Sequence, residues 1–311
     1  MARAYMRGSR RQRGQRSHRL PCSALVIWRS VTIPFSFEVY PPRKPEHQAA
    51  LHETIQKLAT AGPDFITVTY GANGSSRDAS LDCLRFIREH TDVAPLAHVT
   101  CVGSTRDEMN ALIDEFLAAD IRMFLALRGD PPEGADPQSD YLGDVKTAAE
   151  LVHLIRERGD NDLSIAVAAF PNGHPMSTSP SSDIDILLAK QAAGAEFAIT
   201  QLFFNATDYL SFLSSARAAG VTIPILPGIM PVTSLSRLRH IVEITGERMP
   251  RDLEAALEAA PSPAHARTVG VAQAVELCRQ LVAGGAPGLH LYAFNEHETV
   301  LEVLAQLNEP A

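Results

Sequence analysis

"FSFEVYPPRKPE" occupies residues 35–46. Phe35, Phe37 and Val39 alternate with Ser36, Glu38 and Tyr40, the period-two pattern of a strand with two unlike faces. Two prolines and an arginine end the run. A carboxylate inside such a run is costly unless it is paired, hydrogen-bonded or protonated. Glu38 therefore either meets water at a strand end or is there for chemistry. The turn after this strand bears on the fold. A doubly wound open sheet usually places a glycine-rich turn after its first strand. "PPRKPE" has no glycine and cannot cradle a phosphate.

Outward from this stretch, β-rich runs alternate with helical patterns. Strands are expected at 35–40, 65–70, 94–101, 122–128, 163–170, 197–204, 224–230 and 288–294. Helical spacing fills 45–61, 77–90, 105–119, 144–158, 182–193, 206–219 and 234–245, and a last helix covers 296–308. Ser104/Thr105, Ser182/Asp183 and Thr233/Ser234 read as helix starts. Gly62, Gly159, Gly194 and Gly220 read as left-handed residues past helix ends. Eight such alternations predict an α/β fold, a (β/α)8 barrel. The stretch 246–286 is longer than a barrel loop needs and predicts extra helices before the last strand.

Charge and cysteines narrow the function class. The 311-residue chain has a net charge of −8, yet residues 1–30 hold eight arginines and no acid. The rest carries 20 basic and 36 acidic residues, which disfavours nucleic acid as the ligand of the domain. Residues 1–30 read as a disordered basic extension, and 31–311 as one catalytic barrel. Cys22, Cys83, Cys101 and Cys278 lie far apart with no metal-ligand spacing, so reduced thiols, a cytoplasmic protein and no metal are expected. No apolar run is long enough to cross a membrane.

In a barrel of this kind, active sites form at the carboxyl ends of the strands. Parity sends Glu38, Thr67 and Thr69 inward and puts Leu96, His98 and Thr100 on one face. Arg128 and Asp130 end strand 4, His174 follows strand 5, and Thr200 and Gln201 lie in strand 6. Each also has a plainer reading. Glu38 could form a structural bridge with Arg128, His98 could be a core histidine, Asp130, Asn73 and Gly74 could be turn formers, and Gln201 could bond backbone at a strand end. Lys190 and Asp183 could be a solvated pair on a helix, and Met123 and Met230 core residues.

"FSFEVYPPR", "VTYGANGSSRD", "AHVTC", "ALRGDPP", "AAFPNGHP", "ITQLFF" and "LPGIMPV" occur here in the order in which similar motifs occur in the methylenetetrahydrofolate reductase family. The resemblance spans about residues 33–307. It implies an FAD-dependent barrel in which NADH or NADPH reduces the flavin, and methylenetetrahydrofolate then takes the nicotinamide's place and becomes 5-methyltetrahydrofolate, a supply for methionine synthesis. A flavin-free relative passing hydride directly to folate is the alternative.

By motif position, Glu38 is the implied general acid, with a raised pKa. Asp130 is implied beside the flavin and folate, and Gln201 on the pterin and nicotinamide edges. Thr69, His98, Leu127, Arg128, Gly129, Asp130, Phe170, His174, Asp183 and Lys190 match FAD-holding positions, and Tyr141 is implied near the adenine. Phe170 replaces a common Tyr, Ile241 a stacking Phe, and Glu296 an Arg that meets folate. A homo-oligomer is expected.

Overall fold

The structure, a computed structural model, describes residues 33–42, 44–70, 77–131, 141–159, 162–177 and 179–308. The basic extension expected at residues 1–30 lies outside them. Eight parallel strands close on themselves in chain order. They are β1 Phe35–Val39, β2 Phe65–Val68, β3 Ala94–Thr100, β4 Met123–Leu127, β5 Ser164–Ala169, β6 Phe197–Leu202, β7 Ile225–Ile229 and β8 Leu289–Tyr292. The helices are α1 Gln48–Thr60, α2 Arg77–His90, α3 Arg106–Ala118, α4 Ala148–Arg158, α5 Pro180–Ala192, α6 Ala206–Ala218, α7 Leu235–Thr245, α8 Arg251–Glu258, α9 Pro263–Ala283 and α10 His297–Asn308. The expected (β/α)8 barrel is present. The two added helices, α8 and α9, come from the overlong stretch before β8.

Parity along the strands sorts the core. Phe35, Phe37, Val39, Ile66 and Val68 join the layer between strands and helices. Phe65, Leu96, Met123, Leu125, Ala166, Phe197, Ile199 and Leu226 form a separate cluster that fills the barrel axis. This apolar plug lies below Glu38, Thr67 and His98, so water reaches the polar residues only from the carboxyl-end mouth.

Local signals set most boundaries. Thr105 and Glu108 form a capping box that starts α3, and the Ser234 side chain caps α7. Two expectations need correction. Helix α5 starts at Ser179, whose hydroxyl accepts from the Ser182 N–H, so Ser182 and Asp183 lie inside the first turn. Gly159 ends α4 with φ −117°, because Leu163 packs over it and the chain leaves extended; Gly62, Gly194 and Gly220 do take positive φ.

The added helices pack at the carboxyl ends of β6 and β7. A cluster of Leu202, Phe204, Met230, Val232, Leu238, Ile241, Leu253, Leu257 and Ala266 joins β6 and β7 to α7, α8 and α9. Gly270 of α9 lies against the Val232–Thr233 backbone, and a Cβ there would collide with the Val232 carbonyl. Ala normally stabilises a helix by about 1 kcal/mol over Gly. Here the sign should reverse. Gly270→Ala is expected to lower stability by roughly 1–3 kcal/mol, read as a drop in thermal midpoint; a rise would contradict this packing.

Candidate active site

The register that closes the barrel puts β8 beside β1. Glu38 pairs with Tyr292 on one side and Thr67 on the other, and Ser36 pairs with His290. Glu38, Thr67, His290 and Ser36 consequently form a bonded group inside, with His98 beside it. The Thr67 hydroxyl donates to Glu38 Oε2 at 3.3 Å, and His290 Nε2 lies 3.4 Å from the same oxygen. The other nitrogen of His290, Nδ1, is 2.8 Å from the Ser36 hydroxyl. His98 Nε2 stands 3.6 Å from Glu38 Oε2, too far for a hydrogen bond, and is buried with no other partner among the described residues.

Electrostatics here correct one expectation and remove a plainer reading. Burial pushes the Glu38 carboxyl up, but the His98 charge and the bonds from His290 and Thr67 together pull it further down, so it lies below the ordinary carboxylate value rather than above it. Burial holds His98 below the ordinary histidine value, with Glu38 opposing and His290 adding to the fall. Arg128 is not the partner of Glu38. Its Nη2 meets Met176 Sδ at 2.9 Å instead.

A second group forms where β4, β5 and α5 meet. Lys190 and Asp183 are buried, 7% and 8% exposed, and are not a solvated pair. Lys190 Nζ donates to the Ala168 carbonyl at 2.9 Å, and burial brings its pKa down to about 8. Asp183 accepts from the His174 N–H at 3.3 Å and from the Ser177 hydroxyl at 2.6 Å, fixing the turn after β5. His174 Nδ1 accepts from the Met176 N–H, which leaves Nε2 to carry the imidazole's proton. Its edge meets the Phe170 ring, with centroids 4.7 Å apart. Burial, then Arg128, lower the His174 pKa, while Asp130 and Asp183 oppose and Lys190 adds to the fall.

This group suits a bound phosphate ester. Arg128, Lys190 and His174 sense one another's charge, and a buried lysine with a depressed pKa gains most from an anion. Gly129 has φ +84°, and a Cβ there would meet Val102 Cγ2 at 2.5 Å. The Tyr141 hydroxyl reaches the Gly129 carbonyl at 3.5 Å.

The remaining expected residues take separate places. Thr69 is partly buried past β2, its N–H bonded to the Val39 carbonyl and its own carbonyl to Ser80. Leu127 joins the edge of the axial plug, and Asp130 is exposed at the mouth. Gln201 belongs to neither polar group; its Oε1 accepts from the Leu202 N–H at 2.9 Å. Ile241 is buried in the mouth cluster, and Glu296 is bonded to Arg267 and Thr299. Asn73 and Gly74 lie outside the described residues, as do the other residues of 71–76. Met123 and Met230 are core residues, as expected.

Known proteins of this shape and sequence place the chain. A sequence model of methylenetetrahydrofolate reductase matches residues 26–308. The 5,10-methylenetetrahydrofolate reductase of Salmonella typhimurium is 36% identical over 264 residues, covering 85% of this chain and 86% of that one. The Escherichia coli enzyme of the same name is 34% identical, with the same shares covered. The chain belongs to the methylenetetrahydrofolate reductase family.

Family members also occur within longer chains. Methylenetetrahydrofolate reductase (NADH) 1 of Arabidopsis thaliana is 32% identical over 283 residues, which are 88% of this chain and 48% of the plant protein. The same barrel recurs in a Clostridium thermocellum protein described as binding two copies of 5-methyl-5,6,7,8-tetrahydrofolic acid, with a TM-score of 0.60 at 17% identity, covering 89% of this chain and 94% of that one. Among the described residues no helix is long and apolar enough to cross a membrane, and no cluster of side chains has metal-ligand geometry.

Sequence reasoning missed His290 and Tyr292. The signal was present in "GLHLYAF". Leu289, Leu291 and Ala293 take the helix side, so parity sends His290 and Tyr292 inward, as it does Glu38. His98 should titrate below 6.5 in histidine NMR spectra, and lower still in Glu38→Gln, where the opposing carboxylate is gone; an upward move would contradict the assignment. The fold binds fewer protons on His98 than the unfolded chain does in that window. This contribution to stability is therefore complete above pH 6.5 and is lost as pH falls towards the folded value.

Proposed function

We propose that this protein is an FAD-dependent methylenetetrahydrofolate reductase that uses NADH or NADPH and works in two half-reactions at one mouth. The observation that carries this reading is a part-buried carboxylate, Glu38, at the floor of a mouth whose opposite wall is a cationic nest. The names of the bacterial and plant relatives support the reaction class.

FAD, when bound, supplies a two-electron carrier between nicotinamide and folate. Arg128, Lys190 and the His174 Nε2–H would hold its pyrophosphate and ribityl oxygens through charge-assisted hydrogen bonds. Asp183 keeps the His174 turn in place for that task. Thr69, His98, Leu127, Gly129 and Phe170 would line the ring system, and Tyr141 the adenine end. The orphaned His98 Nε2 has an unused hydrogen-bonding position for such a group.

The protein's own residues handle the proton and the charge. Glu38 would protonate N10 of methylenetetrahydrofolate, so that the bridging five-membered ring opens to an iminium cation. Without ligand the pKa of Glu38 is held below the ordinary value; Glu38 would take a proton from solvent as substrate binds, and the exclusion of water that follows would favour the neutral acid over the charged form. Asp130, exposed at the rim, stabilises the developing cation. Gln201 keeps its amide oxygen on Leu202, so its Nε2 donors face the acceptor edge of pterin or nicotinamide.

The purified protein should be yellow, and NADH or NADPH should bleach it anaerobically. Turnover by a colourless protein would replace this reading with direct hydride transfer to folate. Glu38→Gln should leave bleaching near normal and lower folate turnover by about 10²–10⁴-fold, the usual loss with a general acid. An equal loss in both half-reactions, with loss of flavin, would remove Glu38 from the chemistry.

Flavin retention should also depend on pH through Lys190. Bound phosphate raises the pKa of this lysine from about 8, so binding takes up a proton as pH rises past that value. Affinity should therefore fall above about pH 8. Lys190→Met should bind more weakly and lose the pH dependence, as measured by equilibrium dialysis of FAD. Arg128→Ala should weaken retention by roughly 1.5–3 kcal/mol and keep the pH dependence, moved to higher pH because Arg128 helps to depress Lys190.

A further inference from the structure

The ladder between β6 and β7 is interrupted at the residue before Gln201. Ile199 pairs with Leu226, but the next pair is Leu202 with Gly228, so β6 carries one residue more than β7 over this interval. That is a β-bulge, a feature that re-aims side chains beside active sites. Three contacts hold it open. The Tyr292 hydroxyl donates to the Thr200 carbonyl at 2.9 Å, reaching across from β8 to β6. The Gly228 N–H donates to the Thr200 hydroxyl at 2.9 Å. The Leu202 N–H is taken by the Gln201 amide oxygen.

Gly228 makes the tyrosine contact sterically feasible. A Cβ there would collide with the Thr200 carbonyl and lie 2.9 Å from both the ring and the hydroxyl of Tyr292. The ring of Tyr292 also meets His290 edge-on, with centroids 5.3 Å apart, and His290 bonds Glu38. One side chain thus joins the Glu38 group to the bulge that carries Gln201. Burial, with the Glu38 charge adding to it, holds the Tyr292 hydroxyl well above its ordinary value, so it remains a neutral donor.

We propose that Tyr292 is a positioning residue for Gln201: its bond to the Thr200 carbonyl keeps the β6 bulge open and fixes the direction in which the Gln201 amide meets the substrate. This rests on the proposed role of Gln201 in binding folate. Tyr292 touches no reacting atom in this assignment. It acts through the backbone of the residue next to the amide, and its loss should be felt only where Gln201 is felt.

A double-mutant cycle read by binding tests it. The probe is 5-methyltetrahydrofolate, titrated calorimetrically into the flavin-loaded protein, with the thermal midpoint of every variant recorded. Gln201→Ala should weaken binding about tenfold or more. Tyr292→Phe removes only the hydroxyl and should weaken binding roughly 3- to 10-fold, but less than about twofold when Gln201 is already Ala. Thr200→Val opens the same lock from the Gly228 side and should show the same dependence on Gln201, which keeps the test available if Tyr292→Phe folds poorly.

Equal weakening in both backgrounds, or none in Tyr292→Phe at an unchanged midpoint, would overturn the positioning role while leaving Gln201 in place. Unchanged binding in Gln201→Ala would instead overturn the folate role of Gln201, and the inference with it.

Discussion

A carboxylate can be kept inside a barrel only where the interior supplies hydrogen-bond donors. Closure of β8 onto β1 supplies them here. That register places His290 next to Ser36 and sets its far nitrogen towards Glu38, while β2 contributes the Thr67 hydroxyl and β3 the His98 ring. Removing the closure would leave Glu38 with Thr67 and His98 alone. The apolar plug beneath, built around Phe65 and Phe197, keeps water from reaching the group from below. The acid and its surroundings thus depend on the pairing that makes the sheet a barrel.

The two polar groups of the mouth differ in what they require. Around Glu38 the charge is negative, and neighbouring imidazoles and a hydroxyl offset its burial. Around Lys190 the balance is reversed. Lys190, Arg128 and His174 face one buried carboxylate, Asp183, and burial already pulls Lys190 down to about 8. A cationic nest of this kind favours an anionic ligand, whereas the Glu38 group favours a ligand that can accept a proton. One barrel mouth can hold both because the groups are rooted on different strands, β1–β3 and β8 for one, β4 and β5 with α5 for the other.

The rim shows how this chain accommodates its own substitutions. Ile241 is absorbed into an apolar cluster with Leu238, Leu253 and Leu257, so it packs there and presents no aromatic face. Glu296 is held by Arg267 of α9 and by Thr299 of α10. Nearby, the Arg237 guanidinium stands 5.3 Å from the centre of the Phe294 ring, a cation carried by α7 rather than by the loop after β8. Phe294 and Asn295 both have positive φ, and Asn295 clasps the Tyr40 backbone through both ends of its amide. The loops after β1 and β8 are therefore tied together above Glu38.

The sequence by itself determined the strand and helix order, added helical structure before β8 and the inward face of β1, because periods of two and about 3.6 are written directly into local spacing. It also placed Glu38, Arg128, Asp130, His174 and Gln201 at strand ends, since their positions follow from strand parity and length. Only the tertiary structure decided their partners. Glu38 has His290 and not Arg128, although residues 38 and 290 are 252 positions apart. The direction of the Glu38 shift likewise depended on groups from three other strands, the donors Thr67 and His290 and the charge of His98. The bulge at Thr200 was illegible in "FAITQLFF" because an extra residue is defined only against the strand beside it. Spacing along a chain fixes which way a side chain faces; what it meets there is set by closure.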